Sequence, residues 1–356
     1  KITGGPDGDV AGNMIKILNR DYGENARILG IADGSGCGED PAGLDHTELL
    51  RLVENDLPIS EFDPSKLSPE GNVANLEDPN GFLLRNTMHN RVVADAFVPC
   101  GGRPETIHGH NWREFLTKDG TPSSKLIVEG ANLFLTPEAR ERLSAEGVTI
   151  IKDSSANKCG VICSSLEVAA CMLLEEADFM EIKTEFVNEV LDRLRELARA
   201  EALMLVSEHE RHPCMPLPEI SVRLSRVVNS VADAIEEGMD SWSDVEKSMA
   251  QTMVNDHFPQ TLLDKVDGEI WNALPKVYVA RLIASHLAAG IVYREGISFF
   301  ASMEPDVVAK TAATYMCKEQ EIQRLVRSVE ASGMPDAERI AGLLKRGGTR
   351  ASLNDH

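Results

Sequence analysis

Lys1-Ile2-Thr3-Gly4-Gly5-Pro6-Asp7-Gly8-Asp9-Val10-Ala11-Gly12-Asn13, followed by a helical pattern over residues 14–20, decides how the first half of this chain folds. The opening three residues read as the tail of a strand, the glycines as a turn, and the stretch behind them as a helix. Such a unit brings backbone N–H groups and the positive end of a helix up to a pyrophosphate. Gly8 is expected nearest the phosphates, with Gly5 ahead of it and Asp9 and Val10 behind it. The spacing departs from a strict G-x-G-x-x-G: Gly5 and Gly8 are separated by two residues, and Ala11 takes the tight-packing third position. By itself, such a turn is weak evidence, and its alternative is a plain strand-to-helix turn.

Residues 27–32 form a second apolar run ending in Asp33. An acidic side chain there can accept hydrogen bonds from the adenosine ribose hydroxyls, which favours NAD over NADP. The alternative for Asp33-Gly34-Ser35-Gly36 is a solvated turn. Further apolar runs occupy residues 94–99, 125–128 and 148–151. Continuously apolar strands are those buried on both faces by crossover helices, so the pattern predicts an α/β fold with a Rossmann-type, doubly wound parallel sheet. Residues 33–92 are rich in Gly, Pro, Asn and Asp and read as an elaborated crossover with one helix at 46–55 and no catalytic residue. From residue 166 the pattern becomes long 3.6-period stretches, at 186–207, 220–237 and 275–293, with no strand. Two units are therefore expected: a dinucleotide-binding domain over 1–165 and a helical region over 166–356, whose polar, Gly-containing end at 346–356 is expected to fray.

Composition sets outer limits. The net charge of -21 over 356 residues disfavours nucleic acid and anionic lipid as partners. Seven cysteines without disulfide-like spacing, several inside apolar runs such as Val161-Ile162-Cys163, point to a reducing, cytoplasmic compartment. No apolar run approaches the roughly 20 residues of a membrane span. A start at Lys1, without initiator Met or leader, is read as that of a fragment. His209-x-x-His212-x-Cys214 has the residue types of a zinc site but no second cluster to complete four ligands, so no metal is expected.

Three further segments carry a resemblance. They are Phe97-Val98-Pro99-Cys100-Gly101-Gly102, Val128-Glu129-Gly130-Ala131-Asn132-Leu133-Phe134-Leu135-Thr136-Pro137-Glu138-Ala139, and Ser155-Ala156-Asn157-Lys158-Cys159-Gly160-Val161-Ile162-Cys163-Ser164. In this order they resemble the cofactor domain of glutamate dehydrogenases, and the form of the first turn looks more like the large NAD-specific members than the small hexameric ones. The resemblance implies that Pro99, Cys100 and Gly101 form a strand-end turn beside the dinucleotide and that Asn132 contacts the nicotinamide ribose region. It places Asn157 at the nicotinamide amide, Val161 at the substrate's aliphatic chain and Ser164 at its distal carboxylate. Lys158 and Cys159 replace two small residues of the family pattern.

The implied reaction is NAD-dependent oxidative deamination of L-glutamate to 2-oxoglutarate and ammonia, by a homo-oligomer acting on a small-molecule substrate. In the family, proton transfer falls to lysines and an aspartate in a segment ahead of the cofactor domain, and no replacement set is evident here, so the catalytic residues are left unassigned. Two other readings stay open: a leucine- or phenylalanine-type dehydrogenase, against which Ser164 argues, and a non-catalytic dinucleotide-sensing or assembly module.

Overall fold

The computed structural model describes residues 1–266 and 270–353. The chain divides into two compact units, Lys1–Lys158 with Pro213–Ser221, and Cys159–His212 with Val222–His356. The break falls inside a helix, a few residues ahead of the boundary expected at 165.

In chain order the first unit holds β1 (Ile2–Thr3), α1 (Asp9–Tyr22), β2 (Gly30–Ala32), β3 (Gly36–Glu39), α2 (His46–Glu54), β4 (Asn72–Asn75), α3 (Gly81–Arg91), β5 (Ala96–Pro99), β6 (Leu126–Val128), α4 (Pro137–Ala145), β7 (Thr149–Ile151) and the single turn α5 (Asp153–Ala156). The seven strands form one sheet in the order β4-β3-β2-β1-β5-β6-β7. The apolar runs of the sequence become its parallel part: β1 pairs with β2 and β5, β5 with β6, and β6 with β7. The strand order reverses between β1 and β5, and such a switch point opens a crevice at the carboxyl ends of the strands.

Both faces are covered, as the continuous hydrophobicity predicts. Ile31 joins the core beneath α1 and α2, with Ile2, Ile15, Leu49 and Leu52. Its neighbour Ala32 points the other way, to a cluster with Cys37, Ala74 and Met88 beneath α3. A third cluster, built on Phe97, Phe115, Ile127, Phe134 and Leu143, fills the β5–β7 side. Thr136 caps α4 by accepting from the Ala139 N–H, with Pro137 in the first turn, where its missing N–H costs nothing.

The expectation of a wholly parallel sheet needs correction at one edge. β2–β3 and β3–β4 are antiparallel, and the segment read as a crossover with one helix contains this two-strand ribbon and α3 besides α2. Gly36-Cys37-Gly38-Glu39 and Asn72-Val73-Ala74-Asn75 lack the run of branched and aromatic residues that marks a strand. Their small residues serve close approach instead: a Cβ on Gly36 would stand 2.1 Å from the Ala74 carbonyl oxygen.

The second unit holds most of α6 (Lys158–Leu173), then α7 (Glu176–Arg211), the larger part of α8 (Leu217–Gly238), α9 (Asp244–Asn255), α10 (Gln260–Lys265), the short α11 (Ile270–Ala273), α12 (Lys276–Glu295), α13 (Pro305–Ala331) and α14 (Ala337–Ser352). Val279, Ile283, Leu287 and Ile291 recur along α12 and are buried. The end expected to fray is helical to Ser352 instead, because Ala341 and Leu344 pack on Ile322, Val326 and Val329 of α13; residues 354–356 lie outside the described residues. Among the described residues no helix is long and apolar enough to cross a membrane.

The β3–β4 ribbon carries a test. Gly36→Ala must push two backbones apart, and is expected to lower unfolding stability by about 1 to 3 kcal/mol. The urea midpoint, read at unchanged slope, checks this; an unmoved midpoint would mean the ribbon is looser than described.

Candidate dinucleotide site

At the carboxyl ends of β1, β2 and β5 the first unit has a cavity of about 540 Å³. One wall is the glycine turn after β1, with Gly4, Gly5 and Asp7, and another is Asp33 and Gly34 after β2. Gly101 and Gly102 after β5 close a third side. Thr3 ties the first wall to the third: its hydroxyl donates to the Gly101 carbonyl at 2.7 Å, and its own carbonyl accepts from the Gly101 N–H at 2.8 Å.

Beside the cavity the turn runs into α1. Gly8 is its N-cap and, having no side chain, offers no capping bond. The first-turn N–H groups of a helix have no intrahelical acceptor, so this end is suited to an anion. Asp9 and Val10 are exposed there, while Ala11 is buried as the tight-packing position requires. Gly12 makes the closer approach, since a Cβ on it would lie 2.6 Å from the Pro6 carbonyl oxygen.

Asp33 is buried, and its carboxylate is already engaged. Oδ1 accepts from Ser35 N–H at 2.7 Å, Ser35 hydroxyl at 2.7 Å and Gly36 N–H at 3.2 Å, while Oδ2 accepts from Ile59 N–H at 2.7 Å. Oδ2 keeps a lone pair and stands beside Gly5, where a Cβ would be only 2.5 Å away. Asp7 approaches the same glycine, with Oδ1 at 2.1 Å from that Cβ position. Partial burial first, and then the charge of Asp33, raise the Asp7 carboxyl above its usual range.

A second cluster gathers around Gly130. A Cβ on this residue would meet the Pro99 carbonyl oxygen at 3.1 Å, the Val10 side chain at 3.5 Å and the Cys100 Cα at 3.7 Å. Asn157 Nδ2 donates to the Asn132 Oδ1 at 2.5 Å. Of the residues singled out in the sequence, Gly5, Asp33 and Gly101 thus line the cavity, and Val10, Pro99, Cys100, Asn132 and Asn157 meet at or near Gly130. Burial pushes the Cys100 thiol up to about 12, so it stays protonated and packs against the Met14 sulfur at 3.8 Å. Val161 and Ser164 are exposed on α6, three residues apart and so on one face of the helix, and they belong to the second unit.

What holds the 130–136 loop escaped the sequence reading. Glu129 and Arg140 are buried and paired twice, Nε to Oε2 at 2.7 Å and Nη2 to Oε1 at 3.0 Å, and Arg140 also reaches Asp153 at 3.4 Å. Leu135 N–H donates to Glu129 at 3.3 Å and Leu133 N–H to Asp153 at 2.9 Å. Lys152 pairs with the other Asp153 oxygen. Burial raises the Glu129 carboxyl above the ordinary 4.5, against the pull of Arg140. Burial would raise Asp153 too, but the bonds from Lys152 and the Leu133 N–H outweigh it and hold Asp153 low. Leu133 itself takes a left-handed φ of 58° while 59 % exposed, and its carbonyl accepts from the N–H of Glu105, also at φ 58°. Two side-chain-bearing residues in that region need such outside support.

Also missed were Arg85 and Asn86 of α3, which line the cavity from a segment expected to hold no catalytic residue. Arg85 Nε donates to the Asp33 carbonyl at 2.7 Å and Nη1 to Asn86 Oδ1 at 2.7 Å. No turn motif announces them; only the antiparallel ribbon brings α3 to the rim. Among the described residues no group of three or more His, Cys, Asp or Glu is placed to hold a metal.

The family model of glutamate/leucine/phenylalanine/valine dehydrogenases matches residues 1–210. The chain is 37 % identical over 319 residues to a probable NAD-specific glutamate dehydrogenase of Schizosaccharomyces pombe, covering 83 % of this chain and 28 % of that protein. It is 36 % identical over 332 residues to glutamate dehydrogenase 2 of Dictyostelium discoideum, covering 85 % and 31 %, and 36 % identical over 322 residues to the NAD-specific glutamate dehydrogenase of Neurospora crassa, covering 83 % and 30 %. The chain therefore spans about 30 % of the length of these relatives.

Arg140→Met leaves Glu129 buried without its cation, which is expected to cost about 3 to 5 kcal/mol at neutral pH. The folded-state pKa of Glu129 then lies still further above its unfolded value, so the folded variant binds the extra proton as the pH falls toward 4.5. The deficit should be largest near pH 7 and shrink on acidification, as denaturant titrations of both proteins across that range would read. A deficit independent of pH would mean that Glu129 is not the stranded charge.

Proposed function

Since the chain belongs to the glutamate/leucine/phenylalanine/valine dehydrogenase family, we propose that it forms the dinucleotide-binding part, residues 1–165, and the helical part, residues 166–356, of an NAD-dependent glutamate dehydrogenase. The reaction is oxidative deamination of L-glutamate to 2-oxoglutarate and ammonia. The observation that carries this reading is the uncapped head of α1 at a cavity beside the β1/β5 switch point, with an engaged acidic residue after β2.

A nicotinamide dinucleotide held here would supply the redox chemistry, as the acceptor of the hydride from the substrate α-carbon. The residues named here bind and orient the dinucleotide and the substrate. The first-turn N–H groups after Gly8, with Gly5, Asp9 and Val10 around them, hold the pyrophosphate, and the free lone pair of Asp33 Oδ2 accepts from the adenosine ribose. Asp7 and Asp33 together disfavour a phosphate at that ribose, which supports NAD over NADP, as do relatives described as NAD-specific. Pro99, Cys100 and Gly101 back the dinucleotide, Asn132 contacts the nicotinamide ribose region and Asn157 the amide. Val161 meets the aliphatic chain of the substrate, and the Ser164 hydroxyl donates to its distal carboxylate. That last contact supports glutamate over an apolar amino acid. A cytoplasmic homo-oligomer belongs to the same proposal: cysteines such as Cys37 and Cys100, free and buried as small apolar groups, support the reducing compartment, and symmetric self-assembly is common among soluble enzymes.

Calorimetric titration with NADH and separately NADPH tests this. NADH is expected to bind more tightly than NADPH. Asp33→Asn, with an unchanged circular dichroism spectrum, and Asn132→Ala are each expected to weaken NADH about tenfold, the scale of one lost hydrogen bond to a ligand. Binding of neither cofactor would overturn the reading.

A further inference from the structure

The second unit has a larger cavity of its own, about 780 Å³, between α7, α9, α12 and α13. Four guanidinium groups line it, from Arg193, Arg294, Arg324 and Arg327, against the two carboxylates of Asp256 and Glu319. In a chain of net charge -21 this local excess of cations is the reverse of the overall balance. The carboxylate of Glu319 is committed, since it pairs with Arg294 and accepts from Thr349 and Gln323. Arg324 and Arg327 form no ion pair among the described residues. They lie three residues apart on α13 and so present adjacent charges on one face.

Polar atoms behind these arginines lack partners as well. Arg193 bonds Glu196 through Nη1 at 3.1 Å, but its Nε is buried without a hydrogen bond, and so are both ring nitrogens of His257. His257 packs edge-on against His286, which lines the cavity, with ring centroids 5.2 Å apart. Burial, together with the nearby charge of Arg193, holds the two imidazoles down to about 4 and about 3, so they are neutral at physiological pH. Unpaired guanidinium groups in a concave site match the oxygens of carboxylates and phosphates, which they bind in forked, charge-assisted pairs.

We propose that this cavity is a binding site for a small multivalent oxyanion, a polycarboxylate or a phosphate compound, held by Arg324 and Arg327 on one side and Arg193 on the other. The site is independent of the dinucleotide reading, because every residue of it lies in the second unit. Calorimetry of the full chain at low ionic strength, with tricarballylate and separately with pyrophosphate as probes, tests it. At least one probe is expected to bind, and the probe that binds tells carboxylate from phosphate recognition. Arg324→Ala/Arg327→Ala, both exposed and without structural partners, should weaken that binding about tenfold or more. Arg339→Ala/Arg346→Ala, which removes the same charge outside the cavity, should leave it unchanged. The proposal fails if neither probe binds, if both double variants lose affinity equally, or if the Arg324/Arg327 variant binds as tightly as the parent, as it would were pyrophosphate held at the α1 turn.

Discussion

Arg140, enclosed by Glu129 and Asp153, fixes the part of the first unit on which the site's second cluster depends. A guanidinium cannot shed its proton to escape burial, so it must keep carboxylate partners wherever it lies. Both carboxylates in turn accept main-chain N–H groups from the loop between β6 and α4. The loop is thus held by charges that have no solvated alternative, and it can sustain the left-handed residue at its crest. The pairing also ties the end of β6 to the start of α5, setting Asn132 and Asn157 within reach of each other across 25 residues of sequence.

The two cavities differ in electrostatic character, and the difference follows from which backbone surrounds them. Around the first, a helix end beside the cavity and the lining residues Arg85 and Arg103 contribute positive charge, while the side chains nearest the turn, Asp7 and Asp33, are acidic. Around the second, helices are packed side by side, and the positive charge comes from long arginine side chains. The first arrangement selects by hydrogen-bond pattern at short range. The second selects by charge, and its strength depends on ionic strength.

How much of this was legible in the sequence varied with the range of the interaction. Local signals read well: the strand-turn-helix at residues 2–22 and the long helices α7, α8 and α12 all follow from spacing within a few residues. The antiparallel β3–β4 ribbon did not, because Gly36 is defined by the partner backbone that approaches it and Gly38 by the side chains of Ile59 and Val73, which periodicity does not encode. Arg85 belongs to the same class, since its place at the cavity depends on that ribbon. Glu129 lies in a motif the sequence shows, but its partner Arg140 stands 11 residues on, in α4, and no spacing rule pairs them. The helical end of the chain was misread for a related reason: a Gly-containing segment with weak intrinsic propensity is held by its packing on α13.

The turn after β2 has one more consequence. Its carboxylate at Asp33 accepts from Ser35, Gly36 and Ile59, so the chain's own groups tie this rim together. The conformational entropy of this rim is therefore lost when the chain folds, and a visiting molecule finds the rim already ordered. Association at such a preorganised edge should resemble the closing of two rigid surfaces, with most of the free energy of recognition retained as affinity.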